Sequence, residues 1–242
     1  HERSVYLMGL GHSPRIVTDG LVLYFDAANS RCYSGTGLTA FDITGTKVGS
    51  FSNGLGYSST NRGYFSFDGT NDFLNLTTNL NTGSNFSVFA WIYPGNINQR
   101  NAIVGNSYPY TSADGWFLST ATNYLGLSNT FFISVGADVA FRTAANESLT
   151  LNAWNYIGGT VTNGGGSIVL YRDANQITTY QAGTQTVNTI TYNTQEMAIG
   201  RRTTSQLESF IGNIALVQIY NRVLSNAEIL QNYRATKARY GL

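Results

Sequence analysis

The stretch Asp68-Gly69-Thr70-Asn71-Asp72 puts two carboxylates and an amide within five residues, the oxygen-rich set that a hard cation such as calcium takes. Asp68, Asn71 and Asp72 are therefore the candidate metal ligands, with calcium the one cofactor suggested. The same residues also fit a turn, because Asp and Asn accept hydrogen bonds from their own following backbone and glycine supplies positive φ. The turn is the preferred reading, since the local charge is modest and EF-hand spacing is absent. A second group, Asn106, Tyr108, Tyr110, Asp114, Trp116, Asn123 and Tyr124, runs along one long stretch. Sugars offer C–H patches to aromatic faces and hydroxyls to amides and carboxylates, so these residues form the candidate glycan-binding surface. If Trp116 instead begins a strand and faces the core, only the tyrosines and asparagines are left at the surface.

Other chemistry lacks its parts. Retaining glycoside hydrolysis needs two carboxyl groups facing each other across the sugar bond, and the five glutamates Glu2, Glu147, Glu196, Glu208 and Glu228 are scattered. The only histidines are His1 and His12, and the only cysteine is Cys32; no serine or cysteine nucleophile has a plausible base, and no intrachain disulfide can form. The expectation is a protein that binds and does not catalyse. A net charge of +1, with 11% charged residues, provides no basic stripe for phosphates, so nucleic acid is not expected as a partner. The apolar runs are too short to span a bilayer, so no membrane insertion is expected.

The elements that must position these residues are strands. Short runs rich in Val, Ile, Phe, Tyr and Thr, bounded by Gly, Asn, Asp and Ser, recur along the chain: among them Leu21–Phe25, Gly63–Phe67, Phe73–Leu76, Phe86–Tyr93, Trp116–Ser119, Thr130–Val135, Trp154–Thr162, Ser167–Arg172 and Ile211–Tyr220. Phe86–Tyr93 is apolar on both faces, which predicts a central strand or one covered on its outer side. Asn163-Gly164, with the glycines that follow, predicts a hairpin tip, and Asp173-Ala174-Asn175 predicts another. One helix is expected, at about 226–238: Ser225 and Glu228 make a capping box, and Ile229, Leu230 and Tyr233 share a face that would pack on the edge of the fold. Residues 1–19 read as an extended arm preceding one domain, 20–242.

The ordered series Gly20-Leu21-Val22-Leu23-Tyr24-Phe25-Asp26, Phe67-Asp68-Gly69-Thr70-Asn71-Asp72-Phe73, Phe86-Ser87-Val88-Phe89-Ala90-Trp91-Ile92, Trp154-Asn155-Tyr156-Ile157, Val169-Leu170-Tyr171-Arg172-Asp173-Ala174 and Ile219-Tyr220-Asn221-Arg222-Val223-Leu224-Ser225 resembles a laminin-G-like domain of the concanavalin A-like lectin/glucanase superfamily. The resemblance implies an all-β fold, a two-sheet antiparallel jelly-roll sandwich with loops along one rim. It departs at the hairpin, where Asp173-Ala174 replaces the family's Asn-Gly and implies a different turn. The superfamily's glucanases carry Glu-x-Asp-x-x-Glu, which is absent here. The opening motif and the ending, from Leu230-Gln231-Asn232-Tyr233 to Tyr240-Gly241-Leu242, also resemble structural proteins of tailed bacteriophages, particularly those infecting cyanobacteria. That implies a virion protein, a capsid decoration or tail-fibre-type module, whose partners are other virion proteins or host-surface polysaccharide. The alternative is a soluble, extracellular lectin domain, calcium-dependent if the Asp68–Asp72 stretch binds the ion. A homo-oligomer through sheet edges is open under either reading.

Overall fold

The computed structural model describes residues 14–45, 47–76, 80–97, 100–106, 115–122, 126–136, 141–145, 147–162, 166–182, 190, 196–202 and 208–242. In chain order the strands among them are β1 (Leu21–Asp26), β2 (Thr39–Phe41), β3 (Val48–Ser52), β4 (Gly56–Ser58), β5 (Tyr64–Asp68) and β6 (Phe73–Leu76). There follow β7 (Phe86–Pro94), β8 (Asn101–Gly105), β9 (Trp116–Ala121), β10 (Thr130–Val135), β11 (Phe141–Ala145) and β12 (Asn155–Thr162). The last are β13 (Ser167–Arg172), β14 (Asn175–Gln176), β15 (Thr179–Ala182), β16 (Met197–Ile199) and β17 (Ile211–Tyr220). They form two antiparallel sheets. Sheet A runs β14-β13-β12-β7-β17-β5-β4, with β1 also on β17; sheet B runs β15-β11-β10-β9-β8-β16-β6-β3-β2. This is the expected jelly-roll sandwich.

Burial explains the two apolar faces of β7, which lies between β12 and β17. Phe86, Val88, Ala90 and Ile92 point between the sheets, into one core with Trp116, Leu118, Phe131, Ile133 and Val135 of sheet B. Phe89 and Trp91 point the other way, into a second cluster with Tyr156, Leu216, Tyr220 and Ile229. Sheet A is thus apolar on both sides over its centre, and its outer side must be covered.

The cover is the helix α1 (Asn226–Thr236), continued by a 3-10 turn over Lys237–Tyr240. Ser225 and Glu228 form the expected capping box. The helix does not sit on the edge of the sandwich: it lies over the outer face of sheet A, where Trp91 Nε1 donates to Thr236 Oγ1 at 2.8 Å and the Trp91 and Tyr233 rings stack at 5.7 Å. An edge would leave Trp91 and Tyr156 in water, and their burial selects the face. The described part of the arm runs beside the helix. Val17 N–H donates to Asn232 Oδ1 at 2.8 Å, Tyr220 Oη donates to the Val17 carbonyl at 3.0 Å, and Gln231 Nε2 donates to the Arg15 carbonyl at 2.7 Å. Residues 1–13 of the arm, with His1, Glu2 and His12, lie outside the described residues.

The β13–β14 hairpin differs from expectation. Arg172 pairs with Asn175 across Asp173 and Ala174, whose φ angles are 50° and 64°. Positive φ at both central residues is the signature of a type I′ turn, the turn that an Asn-Gly pair would serve. The conformation is kept although alanine fills the second position. Asp173 is anchored to β12: its Oδ1 accepts from Tyr156 N–H at 3.1 Å, and its own N–H donates to the Tyr156 carbonyl at 2.8 Å. The hairpin tip expected at Asn163-Gly164 lies outside the described residues.

Candidate functional site

The Asp68–Asp72 stretch joins β5 to β6 as a self-bonded turn. Asp68 Oδ1 accepts from the N–H groups of Thr70 at 2.7 Å and Asn71 at 3.4 Å, while Asp68 N–H donates to Asp72 Oδ2 at 3.1 Å. Gly69 has φ +81°, which only glycine adopts without strain. Two outside groups hold the turn: Asn53 Nδ2 donates to the Asn71 carbonyl at 3.0 Å and Ser209 Oγ to the Thr70 carbonyl at 2.9 Å. Asp72 is 5% exposed and its Oδ1 is buried without a partner; burial, reinforced by the Asp68 charge, raises its carboxyl above the usual carboxylate range. Among the described residues no three His, Cys, Asp or Glu side chains come together as a metal site.

Of the aromatic–amide group, Asn106 and Trp116 are described and both are interior. Trp116 is fully buried, packed on Phe86 at 4.7 Å between ring centroids, and its Nε1 donates to Thr82 Oγ1 at 3.1 Å. It opens β9 and faces the core, so it offers no ring to a ligand. Asn106 is 4% exposed; its Oδ1 accepts from Trp116 N–H at 3.2 Å and its Nδ2 donates to the Leu80 carbonyl at 3.4 Å. Its amide bridges main-chain groups where β8 ends and β9 starts. Tyr108, Tyr110, Asp114, Asn123 and Tyr124 lie outside the described residues.

Most of the other described acids serve the fold. Asp26 holds Arg239, Tyr24 Oη and Ala28 N–H. Asp42 accepts from Tyr24 N–H at 2.7 Å and from Thr44. Glu208 pairs with Arg100 at 2.8 Å and lies 3.6 Å from Arg202. Glu228 caps its helix and is gripped by Arg222, which also reaches Asp19. Cys32 is fully buried and desolvation pushes its thiol up to about 12, the opposite of a nucleophile's requirement.

Sequence reasoning missed a third group, on the outer face of sheet A at the margin of the cover, where the 3-10 turn ends. Trp154, Tyr93 and Tyr64 are half-buried there, with Trp154 centroids 5.5 Å from Tyr93, 5.8 Å from Tyr64 and 4.6 Å from Tyr240. The alternation of β7 placed Tyr93 opposite the core-facing residues, but no local signal says where the helix ends its cover.

Two packed sheets with this connectivity and an outer helix define a lectin-type sandwich. The chain belongs to the concanavalin A-like lectin/glucanases superfamily: a laminin G-type family model matches residues 68–230. No curated protein sequence matches the chain. Among solved structures, it is similar to domain 4 of AbnA, an extracellular GH43 arabinanase from Geobacillus stearothermophilus, in complex with arabinotriose. The TM-score is 0.63 at 13% identity, over 88% of this chain and 98% of that one. It is similar to Trypanosoma rangeli sialidase in complex with 2,3-difluorosialic acid, with TM-score 0.62 and 14% identity over 93% of this chain but only 34% of that one. It is also similar to the botulinum neurotoxin type G receptor binding domain, with TM-score 0.59 and 12% identity over 89% of this chain and 51% of that one. At these identities the likeness is one of fold.

Proposed function

We propose that this chain is a non-enzymatic adhesive module of a virus particle, a capsid-decoration or tail-fibre-type component that contacts host-surface glycans. The observation that carries the reading is the use of its acids. Asp26, Asp42, Asp68, Asp72, Asp173, Glu208 and Glu228 each hold an arginine, a turn or a backbone N–H, which removes them from the work of a hydrolase. A sandwich of this size that spends its carboxylates on itself suits recognition. The arabinanase domain with which it shares the fold spans nearly the same length and was seen with arabinotriose, which supports an oligosaccharide as ligand. The resemblance of both ends of the chain to tailed-phage structural proteins supports the particle.

Mass spectrometry of purified particles together with a glycan array tests the proposal. The chain is expected in stoichiometric amount on particles, with array binding and no reducing ends released from the polysaccharide it binds. Absence from particles would sink the virion assignment. Steady release of reducing ends would sink the non-enzymatic one.

A further inference from the structure

The geometry points to an oligosaccharide subsite on the outer face of sheet A, away from the rim loops, built by Ser66, Asn213, Tyr93 and Trp154 with Tyr64 beside them. The assignment rests on the glycan-contacting function proposed above and adds where contact occurs and with what kind of sugar.

Register makes the row. Asn213 of β17 is paired with Ser66 of β5 on one side and with Tyr93 of β7 on the other, and Tyr93 meets Trp154 ring to ring. The neighbours along each strand, Phe65 and Phe67 of Ser66, Ile92 of Tyr93 and Ile214 of Asn213, point into the intersheet core, so these three lie on the outer face, and Trp154 joins them there through its ring contact with Tyr93. All four are half-buried, as is Tyr64, whereas the next rows, with Trp91, Tyr156 and Leu216, are sealed. The row crosses three strand spacings, roughly 14 Å, long enough for a short sugar chain lying across the strands.

Its chemistry is that of a sugar site. One end gives aromatic surface and the other an amide and a hydroxyl, and the row carries no charged side chain. No other described residue takes up the Asn213 amide or the hydroxyls of Ser66, Tyr93 and Tyr64, so these are the polar groups open to a ligand; the Trp154 indole N–H is itself buried without an acceptor, and Trp154 offers its ring. A carbohydrate wants rings for its C–H faces and uncommitted donors and acceptors for its hydroxyls, and the row supplies both. Without a cation in the row, the ligand is a neutral oligosaccharide rather than an acidic one.

The test is binding of the full chain to a printed panel of neutral trisaccharides (of arabinose, mannose and glucose) and sialylated oligosaccharides, in about 1 M salt, where the Debye length is roughly 3 Å. Asn213→Ala, Tyr93→Ala and Trp154→Phe are compared with the parent chain, and the indole N–H resonances are followed by NMR. Trp91 and Trp116 are fully buried, so Trp154 is the indole that a ligand on this face reaches, and Trp154→Phe identifies its signal in a chain that keeps a ring there. Neutral sugars are expected to bind, to shift the Trp154 signal selectively and to lose about tenfold in affinity with Asn213→Ala. Parent binding that all three variants retain, with the Trp154 signal unmoved, overturns the site and leaves the glycan-contacting function standing. Binding confined to sialylated sugars overturns the neutral assignment. Failure of the parent chain to bind any glycan overturns the site and the function together.

Discussion

Arg239 brings Nη1 within 2.7 and 2.8 Å of the two carboxylate oxygens of Asp26, closing the last turn of the chain onto its first strand. The Asp26 side chain is 1% exposed and that of Arg239 21%, so the pair is largely shielded and its parts depend on one another. Tyr24 Oη and Ala28 N–H complete the carboxylate's shell.

Removing the cation should therefore cost more than a surface bridge would. Arg239→Ala leaves a buried carboxylate uncompensated and is expected to lower stability by about 3 kcal/mol in urea unfolding. Tyr240, packed at a tilt against Trp154 at 4.6 Å and Trp91 at 4.3 Å between ring centroids, should loosen at the same time and weaken the near-UV circular dichroism. A loss below about 1 kcal/mol would place the pair with ordinary exposed bridges.

Glu228 gives a pH dependence whose sign is fixed. Its hydrogen bonds from Arg222 hold the carboxyl at about 2, below its ordinary 4.5. The folded state thus binds this proton more weakly than the unfolded one, so the stabilisation is complete above about 4.5 and lost as pH falls through about 2. Glu228→Gln should cost about 1 kcal/mol at neutral pH, a figure already discounted for partial exposure. The gap between variant and parent should close toward pH 2. A gap independent of pH would rule out a contribution from charge.

Ala174 occupies a left-handed position, φ 64°, that an L side chain enters at a cost of about 1 kcal/mol. Ala174→Gly should raise the urea midpoint by that order, less a small loss from the methyl's packing on the outer cluster. A lowered midpoint would mean that packing outweighs backbone relief.

The Asp68–Asp72 turn separates two roles for one carboxylate. As a turn former, Asp68 needs an acceptor but no charge, so Asp68→Asn should be nearly neutral and Asp68→Ala destabilising by about 1 kcal/mol. Neither calcium nor a chelator should move the melting temperature. A calcium-dependent rise abolished in Asp68→Asn would show that the turn binds the ion.

What could be read from the sequence was what depends on neighbours along the chain. The double-sided apolar pattern of Phe86–Tyr93 implied a central strand, and Ser225 with Glu228 marked the helix start, because alternation and capping act within a few residues. The strands β2, β3 and β4 went unread because they are short, β3 and β4 contain glycine and serine, and all three are held by pairing rather than by pattern. The I′ turn at Asp173-Ala174 was hidden for a different reason: the strand register and the Tyr156 bonds impose a conformation that alanine does not prefer. Trp116 was open to surface and core, with the core the plainer reading, and the opposing Phe86 bears that reading out. The Ser66–Asn213–Tyr93–Trp154 row joins four distant parts of the chain through sheet register, and nothing local announces it.

The bond from Val17 to Asn232 also has a mechanical consequence. Residues 14–19 and the terminal helix lie side by side on one face, so tension applied between them loads their mutual contacts before it loads the strands. Under force the helix peels from sheet A first, and the sandwich beneath is spared until that tether has run out.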